Sequence, residues 1–396
     1  MIQRGIASFG LDYGRCPPWL FERMVKLGRE MAYVLVAEYG PDEFIKRIAD
    51  PAWFQSLGTV LAFDWNASGL TTILTAALKE AIRGRERELG IFICGGKGKT
   101  SRKTPEEIMQ WGEKLSLPAP ATNNLVYNSK MSAKVDSALV QDGFQLYHHS
   151  FFFSRGGAWA VVQQGMNKEK RSARRYHWFS ENINDLVSEP HSGISSPVVL
   201  NRVLNLTAKQ STQTREISTE LVQAGYATLM KDIQLLRKYS SPLSQMAQFE
   251  NARGEQLSLL NLETREFKSH PVVYEDFSKS KYLEKVLAKV TDRKPENYEK
   301  LIAIEGVGPK TVRALALVGE VIYGAKPSYE DPARYSFAHG GKDATPYPVD
   351  RITYDQTITI LGEAVRKTRL SPDEKRRALG RLQVGRSGQQ GAGRVL

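Results

Sequence analysis

The segment from Phe144 to Gln163 reads FQLYHHSFFFSRGGAWAVVQ and determines the fold class of the first half of the chain. Residues 144–153 and 158–163 form two apolar runs, and the intervening Ser154-Arg155-Gly156-Gly157 supplies the glycines that a tight turn prefers. This pattern predicts an antiparallel hairpin of two strands. Working outward, the run Ile-Phe-Ile-Cys at 91–94 predicts another short buried strand.

Helical spacing of apolar residues surrounds these strands. One helix is predicted from about Leu20 to the Gly40-Pro41 pair, and a second over residues 70–89. Residues 60–69 lie between them, and we predict a strand there whose end carries Asp64. Beyond residue 195 the pattern is mainly helical. The fold class expected is therefore an α+β or α/β amino-terminal domain followed by a helical domain.

The charge balance indicates a polyanion as the partner. The 396 residues include 55 Lys and Arg against 43 Asp and Glu, a formal net charge of +12, and the 41% hydrophobic content is sufficient for packed cores. Two cysteines without CxxC spacing exclude a disulfide framework and a cysteine-ligated metal cluster. The sequence has no signal-like or membrane-spanning apolar stretch, so we expect a cytoplasmic, nucleoid-associated protein without membrane contact.

The motif with the most specific physical meaning is LIAIEGVGPKTVRAL at residues 301–315. Its two glycines flank one apolar residue, which permits a tight turn between two helices and a close approach of phosphate to the backbone. Pro309 suits the first turn of the second helix, whose free N–H groups attract anions. The segment resembles the helix-hairpin-helix family of sequence-independent DNA binders; a simple packing corner is the alternative. The DNA contacts implied by the resemblance are Gly306, Gly308, Lys310, Thr311 and Arg313.

A second resemblance assigns chemistry to the same motif. In DNA glycosylases that carry this hairpin, a Gly/Pro-rich loop and a catalytic aspartate follow it, and bifunctional members have a lysine in the second helix. Lys310 and Asp350 are similar in position, and residues 340–350 resemble the loop, which implies a Schiff base at C1′ of the sugar. The long interval from Gly308 and the absence of a four-cysteine cluster depart from that family. Asp350 could equally cap a helix beginning at Arg351.

Two further segments combine cations in a way that suits phosphate binding. Residues 95–103, GGKGKTSRK, follow a predicted strand but lack the earlier glycine that a nucleotide-binding P-loop requires. Residues 168–179 interleave basic and aromatic side chains, which can hold phosphates and stack on bases. A solvated loop is the alternative in each case. The DNA contacts predicted here are Lys97, Lys99, Arg102, Lys103, Arg171, Arg174 and Arg175.

The candidate catalytic residues are acidic, amide and imidazole side chains of the first half. His148 and His149 point to opposite faces of a strand, so only one of them can enter a given site. We predict that Asp64, Asp142, His148 and Gln163 are catalytic, and that Asp64, Asp142 and His148 bind Mg²⁺ or Mn²⁺. Their spacing matches no known nuclease motif, and a structural role is the alternative for a strand histidine.

The chain also contains FGLDYG at 9–14, PPWL at 17–20, FDW at 63–65, CGGKGKTS at 94–101 and QQGMN at 163–167. Together with the glycine turn, these elements resemble the domain of unknown function 763 family over nearly the whole chain. The resemblance implies no mechanism. The organisation that we predict is a mixed α/β domain with the catalytic site at 1–195, a helical connection at 196–280, a helical helix-hairpin-helix domain at 281–384 and a disordered tail at 385–396.

These features predict a DNA-binding, DNA-processing protein of repair or recombination, acting as a metal-dependent nuclease on the DNA backbone without sequence preference. A glycosylase or abasic-site lyase using Lys310 and Asp350 is one alternative, and a non-catalytic DNA-binding module is another. A homo-oligomer and repair partners are left open. Gly306→Pro or Gly308→Asp is expected to weaken DNA binding without unfolding the chain.

Overall fold

The structure is a computed structural model that describes residues 16–61, 67–197, 199–240, 280–333 and 351–383. The strands are β1 Ile91–Lys97, β2 Val140–Gln141, β3 Gln145–Ser154, β4 Trp159–Asn167, β5 Ser172–Phe179, β6 His191–Ser195 and β7 Leu204–Asn205. The helices are α1 Pro18–Ile48, α2 Pro51–Val60, α3 Ala67–Ala81, α4 Glu86–Leu89, α5 Thr104–Lys114, α6 Ala119–Ala138, α7 Thr212–Gln223, α8 Tyr226–Ser240, α9 Lys281–Arg293, α10 Tyr298–Ala303, α11 Pro309–Tyr323, α12 Arg351–Lys367 and α13 Pro372–Gln383.

A five-stranded sheet in the first half is the centre of the fold. Its strand order is β1-β3-β4-β5-β6, and each neighbouring pair is antiparallel. The predicted hairpin is present as β3 and β4, with Phe153 opposite Trp159 across the turn. The predicted strand at 91–94 is β1, which extends to Lys97 and forms one edge. The mixed α/β fold with helices elsewhere is therefore confirmed, with an antiparallel sheet.

Helices cover both faces of this sheet. On β3, Phe152 packs among α1, α2 and α3, on what we call the front face. Its neighbours Phe151 and Phe153 point to the back face, where they share a core with helices from α5 to α11. All three rings are at most 1% exposed, and truncating such a ring to alanine typically costs about 3–5 kcal/mol. Because side chains alternate along β3, this one strand packs against the helical layers on both faces of the sheet.

The strand predicted over residues 60–69 is wrong at both of its described ends. Val60 is the last residue of α2, and Ala67 begins α3, while 62–66 lie outside the described residues. The reason is a strong helix start upstream: the Asp50 carboxylate accepts hydrogen bonds from the backbone N–H groups of Ala52 and Trp53 at 2.7 and 2.9 Å. A short apolar run does not distinguish a strand from a buried helix end.

The three-part division of the chain stays a prediction. The back-face core nevertheless crosses the predicted boundaries, because Phe151 and Trp178 of the sheet belong to the same apolar cluster as Leu283, Leu301 and Leu315 of α9, α10 and α11. The helices after residue 280 therefore pack directly on the layers built on the sheet. The predicted tail at 385–396 lies outside the described residues.

Candidate nucleic-acid interface

The predicted basic segments lie together at one end of the sheet. Strand β1 ends at Lys97, which pairs with His148 near the start of β3, and the connection 168–171 joins the end of β4 to the start of β5. Residues 98–103 form a short 3₁₀ helix, and we call this segment the loop 98–103. Because these neighbours are antiparallel, the loop 98–103, the start of β3 and the 168–171 connection lie at the same end. We call it the basic end. Its exposed cations are Lys97, Lys99, Arg102, Lys103, Lys168, Lys170 and Arg171.

Side-chain contacts hold Gly95, the first residue of the glycine-rich segment 95–103. The Gly95 N–H donates to the Glu107 carboxylate at 2.8 Å, and the Lys79 ammonium donates to the Gly95 carbonyl at 3.1 Å and to Glu107 at 2.6 Å. Gly95 has φ +85°, and a Cβ atom there would lie 2.3 Å from the carbonyl oxygen of His149. Only glycine fits this position, so the loop leaves the sheet in a defined direction.

The predicted glycine turn joins α10 to α11. Gly306 has φ +96°, and its carbonyl accepts a hydrogen bond from the Tyr282 hydroxyl at 3.2 Å. Gly308 immediately precedes α11 in extended backbone, with φ −147° and open space where a Cβ atom would be. Lys310 in the first helical turn is exposed, whereas Thr311 is 2% exposed. The turn thus presents the amino terminus of a 15-residue helix beside an exposed cation.

This turn lies next to the basic end. The Gln141 side chain donates to the carbonyl of Pro309 at 3.1 Å and accepts a hydrogen bond from the half-buried Arg313 at 2.5 Å. Gln141 belongs to β2, four residues before β3 begins at Gln145. The Lys134 ammonium, from α6, donates to the carbonyl of Ile304 at 3.3 Å. Strand β2, which pairs with β7 outside the five-stranded sheet, and helix α6 therefore hold the turn close to the start of β3.

Arg174 does not belong to this exposed surface, which corrects its prediction as a DNA contact. Its guanidinium is buried and donates to Asp142 at 3.0 Å and to Asp331 at 2.7 Å. Burial lowers the pKa of Arg174, but the two carboxylates outweigh burial and hold it above its ordinary value. Asp142 also accepts from the Tyr176 hydroxyl at 2.6 Å. The Asp142 carboxylate is therefore engaged in a structural ion pair with Arg174.

The predicted catalytic set is divided between the two faces. His148 contacts Thr75 of α3 on the front face, whereas Gln163 donates to Asp136 of α6 on the back face at 2.5 Å. His149 bonds to Ser129 of α6 and to Gln163, so the two histidines lie on opposite faces as predicted. Asp142 lies with Arg174 on the back face, and Asp64 lies outside the described residues.

These positions do not bring together the predicted metal ligands Asp142 and His148, because the sheet separates them. Across the described ranges, no group of three or more His, Cys, Asp or Glu side chains could hold a metal ion.

The front face instead carries a continuous row of polar side chains. Cross-strand pairing aligns Lys97 of β1, His148 of β3, Gln164 of β4, Arg175 of β5 and Ser195 of β6. We call these five residues the polar row. Paired residues on neighbouring strands point to the same face, so the row crosses the sheet beside the basic end. Four of its members are at most 1% exposed, and Lys97 is exposed.

Arg175 is the buried cation of this row, which corrects its prediction as a surface DNA contact. Its guanidinium donates to the Gln55 carbonyl oxygen at 3.2 Å, the Thr71 hydroxyl at 3.3 Å and the Pro51 carbonyl at 3.5 Å. These three acceptors are neutral. Burial lowers the pKa of Arg175 to about 9, so the charged form is costly to maintain in this surrounding.

One ring nitrogen of His148 contacts two hydroxyl groups. The Nε2 atom lies 3.2 Å from the Thr75 hydroxyl and 3.1 Å from the Ser150 hydroxyl. The Nδ1 atom is buried without a hydrogen-bond partner. Burial, with smaller contributions from His149 and Lys97, lowers the pKa of His148 to about 3 and keeps the ring neutral.

The sequence profile of a family described as a protein of unknown function (DUF763) matches residues 5–349. The chain belongs to this family. Comparison with curated proteins found no match, and comparison with solved structures found none either. Within the described residues, no helix is both long and apolar enough to cross a membrane.

Sequence reasoning missed several residues of this DUF763 protein that the fold places together. Gln164, Ser195 and Thr71 join His148 and Arg175 on the front face, and Asp331 completes the pairing of Arg174 on the back face. Strand register was the signal available for Gln164, because it is the direct neighbour of Gln163 and must point to the opposite face. No local pattern indicates Asp331.

Proposed function

We propose that this DUF763 protein binds DNA through the sugar-phosphate backbone at its basic end and processes it in repair or recombination. The support is the convergence of three segments: the loop 98–103, the connection 168–171 and the turn before α11. Their exposed lysines and arginines can neutralise phosphates, and the net charge of +12 favours association with a polyanion. These proposed contacts do not depend on base sequence, because they are made to the sugar-phosphate backbone of DNA.

The observation that carries the proposal is the open amino terminus of α11. Backbone N–H groups at a helix start lack partners within the helix and attract phosphate oxygens. Gly308 leaves space for such a group, since nothing lies within 4 Å of the position of its missing Cβ. These two features support our proposal that the turn binds DNA in the helix-hairpin-helix mode that the sequence predicts.

Gly308→Asp is expected to weaken binding to duplex DNA by about tenfold, because its carboxylate would repel the phosphate at the helix start. Folding should be unaffected, since the extended φ of −147° and the open space accept a side chain, and aspartate is a good residue before a helix. The measurement is fluorescence anisotropy of a labelled duplex at fixed salt, alongside thermal unfolding.

Gly308→Ala is the matched control and should retain affinity within about twofold, because it adds volume without charge. Equal affinity of the Asp variant and the wild type would remove the turn from the interface. Gly306→Pro is unsuitable as a test, contrary to the expectation from sequence, because proline requires φ near −65° and Gly306 has φ +96°. That variant would disturb the turn itself.

The reaction that we propose to test first is cleavage of phosphodiester bonds with Mg²⁺ or Mn²⁺. Its support is the polar row, which is largely buried beside the basic end and which a protein that only binds DNA does not require. Asp64 would be the acidic metal ligand in this proposal, and no step is assigned to Asp142 or Gln163, whose side chains are engaged on the back face.

Metal-dependent scission is expected on labelled single-stranded, duplex or nicked DNA, abolished by EDTA and by Asp64→Asn while DNA binding persists. Cleavage products are resolved on denaturing gels. Full activity of Asp64→Asn would exclude this ligand. Scission of abasic DNA that survives EDTA and is trapped by borohydride would instead favour the lyase alternative at Lys310 and Asp350. Binding without any scission would favour the non-catalytic module.

A further inference from the structure

An exposed aromatic ring lies beside the glycine turn. Among the large aromatic and aliphatic side chains in the part of the chain that the structure describes, Tyr282 is the most exposed, at 62%. Its hydroxyl donates to the Gly306 carbonyl at 3.2 Å, so the side chain is held at the turn while most of its surface is open to solvent. Tyrosine combines a flat apolar ring with a polar tip, and it is therefore common at sites where proteins bind partners.

Local interactions hold this ring in place before any partner binds. Tyr282 is the second residue of α9, and Ser280 caps that helix by accepting a hydrogen bond from the Leu283 N–H at 3.2 Å. A Cβ atom on Gly306 would lie 3.3 Å from the Val286 side chain and 3.7 Å from the Tyr282 hydroxyl, so the first turns of α9 pack closely on the glycine turn. A side chain that is already ordered loses little conformational entropy when a partner contacts it.

The charges around this ring suit a polyanionic partner. Lys281 and Lys285 are exposed on the first two turns of α9, and Lys310 is exposed at the start of α11. The exposed carboxylate of Glu305 is the opposing charge at the turn, and the Lys289 ammonium lies 3.5 Å from it and compensates it. The ring therefore lies among uncompensated cations, which is the combination that single-stranded nucleic acid requires for its phosphates and its bases.

A second exposed tyrosine has the opposite surroundings. Tyr323 is 46% exposed and is the last residue of α11, and its hydroxyl donates to the Asp232 carboxylate at 3.0 Å. Fifteen residues of helix span about 22 Å, so Tyr323 lies far from the glycine turn. The carboxylate and the negative end of the helix disfavour phosphate there. Exposure is thus common to the two tyrosines, and the cationic surroundings distinguish Tyr282.

We propose that Tyr282 stacks on an unpaired base of a DNA strand whose phosphate lies at the start of α11, an inference that rests on the DNA binding proposed above. Bases within a continuous duplex are covered on both faces by their neighbours, so a ring on the protein surface reaches a base only where a strand is unpaired. Stacking does not select a base, because every base has an aromatic face. The preferred substrate class is therefore DNA in which a single strand leaves a duplex.

The test compares three labelled DNAs by fluorescence anisotropy at fixed salt: a blunt duplex, the same duplex with a single-stranded overhang, and the same duplex with an overhang of abasic spacers. The two overhangs have equal numbers of phosphates, so the difference between them reports contact with bases. The overhang with bases is expected to bind about tenfold more tightly than the spacer overhang. Equal affinity for the two overhangs would overturn the inference and leave DNA binding intact, whereas no binding to any of the three would overturn both.

Three variants separate stacking from support of the turn. Tyr282→Phe keeps the ring and loses the hydrogen bond to Gly306, and Tyr323→Ala is the matched control; both should retain the preference for bases within about twofold. Tyr282→Ala removes the ring and should reduce the preference below about twofold, while affinity for the blunt duplex is retained. Gly308→Asp should weaken all three DNAs and preserve the preference.

Two outcomes with the variants would contradict the proposal. A preference that survives in Tyr282→Ala would mean that the unpaired base contacts another part of the protein. A preference that is lost in Tyr282→Phe, together with weaker binding of the blunt duplex, would mean that Tyr282 acts by supporting the turn through its hydroxyl and not by stacking.

Discussion

Replacing Arg174 with glutamine is expected to lower the free energy of unfolding by about 3–5 kcal/mol. The guanidinium joins Asp142 and Asp331, and the side chains of all three residues are at most 1% exposed. Removing the cation leaves two carboxylates buried next to each other without compensation. Such a loss is a large part of the stability of a typical domain.

The magnitude follows from how completely this cluster is satisfied. Asp331 accepts from Arg174 at 2.7 Å, from the N–H of Leu200 at 2.7 Å and from that of Ala333 at 3.0 Å. Asp142 accepts from Tyr176 and from the N–H of Phe144. Each of these acceptors is oriented by several donors, so neither carboxylate can turn toward water when the guanidinium is lost.

Urea denaturation at neutral pH measures the effect as a shift of the midpoint at constant slope. The exposed Arg171, three residues earlier, is the matched control, and Arg171→Gln should change stability by less than about 0.5 kcal/mol. The double change of Asp142 and Asp331 to asparagine in the Arg174→Gln background should recover part of the loss. A loss below about 1 kcal/mol in Arg174→Gln would mean that water reaches the cluster.

Arg174 also illustrates what local sequence can and cannot reveal. Alternation along a strand correctly separates His148 from His149, and in the structure the same alternation places Arg174 and Arg175 on opposite faces. It does not reveal that helices cover both faces, so a run of cations next to aromatic residues resembles a solvent-exposed nucleic-acid surface. Asp331 lies 157 residues from Arg174 in the chain, and only tertiary packing brings them together.

The glycine turn was predictable for the opposite reason. Its conformation depends on neighbouring residues: Gly306 adopts φ +96°, Gly308 ends the turn and Pro309 starts α11. The polar row depends on the register of five strands and therefore emerges only from the fold. The separation of Asp142 from His148 emerges from the fold as well, since their spacing in sequence says nothing about which side of the sheet each one faces.

Acid is expected to destabilise the protein steeply between pH 7 and pH 5, because several histidines are buried in the neutral form. Burial lowers the pKa of His148 to about 3, and it lowers the pKa values of His149 and His177 as well. In the unfolded chain each of these rings has its ordinary pKa near 6.5. The unfolded state therefore binds more protons below pH 6.5.

The sign and size of the effect follow from this difference. Stability is fully present above the unfolded pKa of 6.5 and is lost as the pH falls toward the folded pKa of about 3. Each such histidine contributes a slope of about 1.4 kcal/mol per pH unit, so His148 alone accounts for about 2 kcal/mol between pH 7 and pH 5. His149 and His177 act in the same direction. Burial raises the pKa of Asp142, which acts in the opposite sense.

Urea midpoints measured at intervals from pH 7 to pH 5 give the slope. His148→Gln should make it shallower by about one proton, because glutamine keeps a polar amide near the position of Nε2, beside Thr75 and Ser150, but does not titrate. The variant is also expected to be less stable at pH 7. This change in stability at one pH has a different cause from the change in slope, so the two are compared separately. A urea midpoint that does not change with pH in the wild type would contradict the prediction. It would mean that the buried histidines take up protons as easily in the folded state as in the unfolded state.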